Sequence, residues 1–376
     1  MSYALRPAVA LLLASIALVG GCASAPTKES DVFDDVTQLT SGFAAAGEAY
    51  FSRDGEWIIF QATPEGEVGY QMYVARLLRR SEGREEVVTG IGPPIRISPQ
   101  GSVNTCGYFS PDGVSLIFAS TAGKPAEDVP KGGYQRESGR YRWAFHKGME
   151  VYRADAWQGA IAAAEFSKGI DLAQHPITTN DSYDAECAFS PDGKWIVFTS
   201  TRDADPAKPE KGSRDADLYA MRADGTGVVR LTTADGYDGG AFFSPDGKSL
   251  VYRCDRRNDN LLQLFVAEVV RDADGGIVGL ANEKQITDEP SVHFGPFWHP
   301  DGQHIVYAAS TENHSNYELF QIRRDGTHKL RLTFTPGADL LPAFSADGKY
   351  LMWTSKRSPD KTSQIWIAKY KKPVAG

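Results

Sequence analysis

The chain has 376 residues, a formal net charge of −8, 41% hydrophobic residues and 11% aromatic residues. That is apolar enough to build a core, which excludes a chain disordered along its whole length. The acidic balance speaks against nucleic acid or anionic lipid as the main partner.

In chain order, Arg6 precedes an apolar run over residues 8–19. The run is shorter than the roughly 20 residues that a membrane-spanning helix needs, so residues 1–21 read as a signal peptide. It ends in Leu18-Val19-Gly20-Gly21-Cys22, small residues before a cysteine. This resembles the lipobox of bacterial lipoproteins, which implies cleavage before Cys22 and acylation of its thiol and amine. Several acyl chains hold a protein at a membrane, each buried methylene contributing about 0.8 kcal/mol. Ala23, where an aspartate would direct retention, implies the outer membrane and its periplasmic face. Residues 22–35 are then the lipidated cysteine and a tether, and the lipid is the expected membrane contact.

Val36-Thr37-Gln38-Leu39-Thr40 follows as a strand with no hairpin partner of its own. Beyond it one pattern recurs six times: Phe51-Ser52-Arg53-Asp54-Gly55, Phe109-Ser110-Pro111-Asp112-Gly113, Phe189-Ser190-Pro191-Asp192-Gly193, Phe243-Ser244-Pro245-Asp246-Gly247, Trp298-His299-Pro300-Asp301-Gly302 and Phe344-Ser345-Ala346-Asp347-Gly348. Proline presets φ for a tight turn, aspartate bonds the local backbone and glycine tolerates positive φ. Conformation therefore accounts for these residues without any catalysis. From one serine (or His299) to the next the spacings are 58, 80, 54, 55 and 46 residues, the size of propeller blades.

Each turn is followed by a continuously apolar second strand such as Trp57-Ile58-Ile59-Phe60 or Tyr350-Leu351-Met352-Trp353, as expected where both sheet faces are covered. Third strands follow at 70–76, 149–155, 217–222, 262–269, 317–323 and 364–370. Segments such as Val229-Arg230-Leu231-Thr232, Lys284-Gln285-Ile286-Thr287 and Leu330-Arg331-Leu332-Thr333 close repeats as fourth strands. The sixth repeat has no fourth strand before the chain stops, and Val36–Thr40 can supply it. The expected fold is all-β: a six-bladed β-propeller over residues 36–370, four strands per blade, closed by an N-terminal strand that completes the last blade, with 371–376 as a tail. A monomer is expected. An alanine-rich piece between Ala156 and Lys168 is expected to add one short helix.

The repeated Phe-Ser-Pro-Asp-Gly-like turns, third strands such as Leu218-Tyr219-Ala220-Met221-Arg222-Ala223-Asp224-Gly225, and Arg230-Leu231-Thr232 endings resemble the propeller repeats of the TolB family. The resemblance covers roughly residues 36–370. It implies a periplasmic, protein-binding propeller, although the α/β domain that precedes the TolB propeller has no counterpart here. Similar propellers also gate prolyl oligopeptidases, whose catalytic residues lie on a separate hydrolase domain.

Two features fall on one face of such a ring. Six residues before each serine stand Ala46, Asn104, Asp184, Asp238, His293 and Asp339, and four before it Glu48 and Glu186, which point toward a channel. They form either a rim that binds a peptide or cation, or loop ends that cap backbone amides. Their oxygen donors would suit calcium, but no compact calcium loop accompanies them, so no metal or other cofactor is assigned. The second feature is an insertion, Thr121 to Gly148, in which Tyr134, Tyr141, Trp143 and Phe145 alternate with Arg136, Arg140 and Arg142. It reads as a partner-binding loop or as a lid over the channel. A second insertion runs from Arg202 to Ala216.

Of the three cysteines beyond Cys22, Cys106 and Cys187 lie one register apart in neighbouring blades. Strand alternation would point them to opposite faces, against a disulfide. Cys254 reads as a small buried hydrophobe. No Gly-x-Ser-x-Gly elbow, His-Glu-x-x-His, phosphate loop or Cys-x-x-Cys pair is present. The expected function is a non-enzymatic scaffold for an envelope protein or peptide. The alternative is a channel-centred lyase or hydrolase acting on a sugar or peptide through Asp184, Asp238, His293 or Asp339.

Overall fold

The computed structural model describes residues 25–83, 85–122, 133–135, 140–142, 145–162, 169–204, 215–257, 259, 261–313 and 316–372. Six antiparallel sheets stand around one axis, and each begins with an inner strand that ends at a repeated turn. Blade 1 comprises Phe43–Phe51, Trp57–Pro64 and Gln71–Glu82, with Ile95–Arg96 in fourth position and Glu85–Ile91 extending its outer hairpin. Blades 3 to 5 have inner strands Asp184–Phe189, Asp238–Phe243 and His293–Trp298, and each is completed in order by three further strands. In blade 2 (Asn104–Phe109, Ser115–Ser120, Glu150–Asp155) the fourth position is filled by a segment with one bridge, Tyr152 to Pro176. Pro176 has no N–H to donate to a ladder.

Blade 6 joins the two ends of the chain. Its strands Asp339–Phe344, Tyr350–Ser355 and Gln364–Tyr370 are completed by Phe33–Gln38, with Phe33 opposite Tyr370 and Gln38 opposite Trp366. The closing strand thus starts three residues before Val36. Upstream, the Glu29 carboxylate accepts the N–H groups of Phe334 and Thr335, each at 2.9 Å, and pairs with Arg357 at 2.9 Å. Residues expected to be tether are therefore part of the ring at the junction of blades 5 and 6.

Two hydrogen-bond devices explain the repeated residues. In five turns the serine Oγ accepts an N–H five residues on, as in Trp195 N to Ser190 Oγ at 2.9 Å, and donates to the turn aspartate, as in Ser190 to Asp192 at 2.6 Å. In the fifth blade His299 Nδ1 accepts from Asp301 N at 3.1 Å, so this histidine is structural. The turn glycines have φ between 66° and 73°, which side chains resist. The second device is one threonine or serine hydroxyl per blade that accepts the N–H near the start of the third strand. Leu218 N to Thr232, Leu264 N to Thr287 and Val151 N to Thr178 measure 2.9 Å, Leu319 N to Thr333 and Ile365 N to Thr40 2.8 Å, and Met72 N to Ser98 3.0 Å. This is why fourth strands end in Leu-Thr or Ile-Thr.

The core lies between blades. Second strands such as Trp195–Ser200 and Tyr350–Ser355 are buried throughout, and Val251 and Leu264 of blade 4 pack with Trp298, Ile305 and Tyr307 of blade 5. Each fully buried large apolar side chain contributes about 1.5–3 kcal/mol, so every blade depends on its neighbours. The alanine-rich piece forms a helix over Trp157–Ala162, with 163–168 outside the described residues. Among the described residues no helix is long and apolar enough to cross a membrane.

Candidate functional site

The site is built by a defect repeated in every inner strand. Four residues before each turn serine (or His299) the register slips, and Glu48, Cys106, Glu186, Gly240, Gly295 and Leu341 all have positive φ, between 45° and 60°. A bulge of this kind breaks strand alternation and re-aims side chains. It costs roughly 1–2 kcal/mol at each of the four non-glycine positions. The result is an axial chamber of about 20 Å³, room for one water, lined by these residues with Arg253.

Glu48 and Glu186 therefore reach the channel as expected. Arg253, which sequence reasoning missed, reaches it from the second strand of blade 4. Glu186 accepts from Tyr237 Oη at 2.5 Å, Gly240 N at 2.6 Å, Thr199 Oγ1 at 2.9 Å and Arg253 Nη2 at 3.2 Å. The Arg253 guanidinium lies over the Phe294 ring at 4.1 Å. Two glycines make this arrangement possible: a Cβ on Gly239 would stand 2.5 Å from Glu186 Oε2, and one on Gly240 2.5 Å from Arg253 Nη1. Burial pushes the Glu48 carboxyl above the usual carboxylate range; a hydrogen bond from Cys106 opposes this, and the negative charge of Glu186 adds to it.

The bulge also corrects the cysteine expectation. Cys106 sits on the bulge at φ 55°, so both Cys106 and Cys187 line the chamber rather than opposite faces; both are free, and Cys187 Sγ donates to Cys106 O at 3.4 Å. Cys254 is buried and free, as expected of a small hydrophobe.

The polar ring does not converge on the axis. Asn104, Asp184, Asp238, His293 and Asp339 are fully buried, each held by groups outside the channel. Asp184 bonds Ser200 and Arg202 (2.7 Å), Asp238 bonds Arg256 (2.9 Å), and Asp339 bonds Ser355 and Arg357 (2.9 Å). The arginines lie over rings of their own blades, Arg202 over Phe198 and Arg357 over Trp353, each at 5.0 Å. Asn104 Nδ2 donates to Tyr70 O at 3.0 Å, and His293 Nε2 is 3.0 Å from Glu289. Burial pushes the Asp339 carboxyl up to about 6, against the pull of Arg357. Among the described residues none of these five side chains accepts a backbone N–H, so they are neither a rim nor solvated caps but buried groups paired with side chains and carbonyls. Among the described residues no group of three or more His, Cys, Asp or Glu is placed to hold a metal ion.

Toward the turns the axis is blocked by Tyr50, Tyr108, Phe242 and Phe297, with centroids 5.2 Å apart for Tyr50 and Tyr108 and 5.0 Å for Phe242 and Phe297. All four stand two residues before a turn serine or His299, so the repeat alignment already carried this signal. Beyond the plug the turn face opens into an aromatic recess of about 270 Å³. On the opposite face, Phe145 at the end of the large insertion packs on Tyr183 at 4.9 Å and Tyr237 at 6.4 Å, above the Glu186 cluster. That contact favours the lid. Tyr134 and Tyr141 are opposite each other in a small hairpin that also holds Arg140 and Arg142; the side chains of these four, and all of Arg136, Trp143 and Cys22, lie outside the described residues. So do residues 205–214 of the second insertion.

No family model matches the chain. Among curated proteins it is 31% identical over 121 residues to dipeptidyl-peptidase 5 of Porphyromonas endodontalis, a match covering 31% of this chain and 16% of that protein. The chain thus matches less than a fifth of that relative's length. Among solved structures it resembles TolB from Agrobacterium tumefaciens (TM-score 0.51, 16% identity, 89% of this chain and 96% of that one). It also resembles an oligogalacturonate lyase from Vibrio parahaemolyticus (TM-score 0.50, 12% identity, 91% and 96%). At such identities the likeness is one of fold. The chain has the six-bladed, four-stranded propeller fold that TolB proteins share.

Proposed function

We propose that this chain is a non-enzymatic binding propeller of the bacterial envelope, anchored by lipid on Cys22 at the periplasmic face of the outer membrane, with a protein or peptide as its partner. One observation carries the reading. The polar residues that could have formed a catalytic ring are neutralised by serine, arginine and other groups away from the axis, while four aromatic rings block the channel. A channel-centred lyase or hydrolase would need Asp184, Asp238, His293 and Asp339 to meet around a substrate. Crosslinking in intact envelopes, with and without the Thr121–Gly148 insertion, tests the reading; a specific captured protein supports it and repeated absence of one refutes it. Replacing Cys22 by serine should release the protein from the membrane fraction.

The dipeptidyl-peptidase match favours a second reading, a propeller that presents peptides to a separate hydrolase. Release of nitroaniline from dipeptidyl nitroanilides by the captured complex, but not by this chain alone, would favour it.

A further inference from the structure

The turn face is built from six equivalent turns, and one of them departs from the rest. After the serine or His299, four blades place Pro111, Pro191, Pro245 and Pro300, and a fifth places Ala346. Blade 1 places Arg53, exposed at the edge of the aromatic recess. Among the described residues Arg53 makes no hydrogen bond or ion pair. Three other arginines of this face are engaged: Arg79 pairs with Glu56 at 3.2 Å, Arg153 with Asp155 at 2.8 Å, and Arg324 donates to Ser249 at 2.8 Å. The neighbouring turn carboxylates are satisfied as well, Asp112 and Asp347 each accepting a serine hydroxyl and a backbone N–H. An unpaired cation at the edge of an apolar well is a site for an anion joined to an apolar group.

Two neighbours narrow the chemistry. Tyr108, in the floor of the well, has a hydroxyl with no partner among the described residues. Burial pushes its phenol up to about 12, and Arg53 is the charge that opposes the shift. Arg53 and Tyr108 line the same well, so one carboxylate bound there can accept from both. On its other side Arg53 also borders a groove of about 830 Å³ between blades 1 and 6, whose wall carries both signs of charge: Arg79, Lys349 and Lys369 with Asp54, Glu56, Glu85, Glu86 and Asp347. The well and the groove share Phe51, Arg53, Ser345 and Ala346. A polar trough that leads past an arginine to an apolar well has the order of parts of a polypeptide end: solvated chain, α-carboxylate, last side chain.

We propose that the turn face docks the C-terminus of a partner polypeptide, its last apolar side chain in the aromatic well and its α-carboxylate on Arg53 and Tyr108. The proposal rests on the reading of the chain as a binding propeller and names the class of partner. The groove receives the preceding residues in extended form.

The test uses the full chain and fluorescein-labelled short peptide pools ending in Phe, Leu or Asp, each as free acid and as C-terminal amide, read by anisotropy. The Phe and Leu free acids should bind, and amidation or a terminal Asp should weaken binding about tenfold, the scale of one charge-assisted hydrogen bond. Arg53→Gln should remove the preference for acid over amide while leaving amide binding unchanged. Since Arg53 holds nothing else, this variant should fold as the parent does. Equal binding of acid and amide, no binding of any pool, or an unchanged Arg53→Gln variant would overturn the proposal. So would a dodecanoate probe that binds as tightly as the peptides and with the same Arg53 dependence, because the ligand would then be a lipid acid. Envelope crosslinking with the parent and Arg53→Gln separates the two levels. Capture by the parent alone supports this surface, and capture by both keeps the scaffold reading but overturns the site. Capture by neither refutes the scaffold reading itself.

Discussion

Thr40 Oγ1 donates to Gln364 Oε1 at 2.8 Å across 324 positions of sequence, and the same hydroxyl accepts the Ile365 N–H at 2.8 Å. Thr232 makes the equivalent pair of contacts inside blade 3, to Leu218 N at 2.9 Å and Asp217 at 3.2 Å. The seam that closes the ring is thus made of the same bond that finishes an ordinary blade. Closed this way, the edge of the last strand, Gln364–Tyr370, is covered by the N-terminal strand rather than left open.

Replacing Thr40 by valine should lower unfolding stability by about 1–3 kcal/mol, because a buried N–H loses its acceptor. Thr232→Val should cost a similar amount. Urea denaturation of both variants checks the seam: a loss for Thr232→Val with none for Thr40→Val would mean that the N-terminal strand is not paired in solution.

Asp339 gives stability a pH dependence of definite sign. Its carboxyl stands at about 6 in the folded chain, above the ordinary 3.8, because burial outweighs Arg357. Between these values the folded state holds the proton that the unfolded chain has released. Its contribution is complete below about pH 4, falls as pH rises toward 6, and is flat above, amounting to about 3 kcal/mol. Asp339→Asn should flatten that part of the stability profile, whatever uniform offset the substitution brings. An identical slope for parent and variant would show that Asp339 does not titrate there.

Gly240 separates steric need from conformational need. Its φ is 60° and a Cβ would stand 2.5 Å from Arg253 Nη1, whereas Gly275 has φ 82° with nothing within 4 Å. Alanine at Gly275 should cost only the left-handed strain of about 1–2 kcal/mol. Alanine at Gly240 should cost at least about 1 kcal/mol more, as overpacking does. Equal losses in thermal or chemical denaturation would mean that Arg253 moves aside freely.

Phe242 is part of the wall between the axial chamber and the turn-face recess. Phe242→Ala should destabilise by about 2–4 kcal/mol and open a path to the chamber. Cys106 and Cys187 line that chamber. Their thiols should then react faster with a soluble aromatic disulfide under native conditions, while Cys254, in the core between blades 3 and 4, should not change. Unchanged labelling of Cys106 and Cys187 would show that the remaining rings close the wall.

Blade number, strand order and the closing strand were legible in the sequence because each rests on local chemistry that repeats. A Ser-Pro-Asp-Gly turn, an apolar second strand and a Leu-Thr ending have the same conformational meaning wherever they occur. The site was legible only in part. Glu48 and Glu186 were found because they share a place in the repeat, yet the same logic put Asp184, Asp238 and Asp339 on a binding rim. Their partners, Arg202, Arg256 and Arg357, stand two residues past the end of the second strand, and only strand pairing brings those positions beside the aspartates.

What the sequence by itself determined is the ring and its seam, since turn geometry and continuously apolar strands are set within a few residues. What the tertiary structure decided is everything on the axis: the six bulges that break alternation, the Glu186–Arg253 pair and the aromatic wall. Those features arise where six blades from distant parts of the chain approach one line, and a side chain's surroundings there are set by residues more than fifty positions away, as with Glu186 and Gly240.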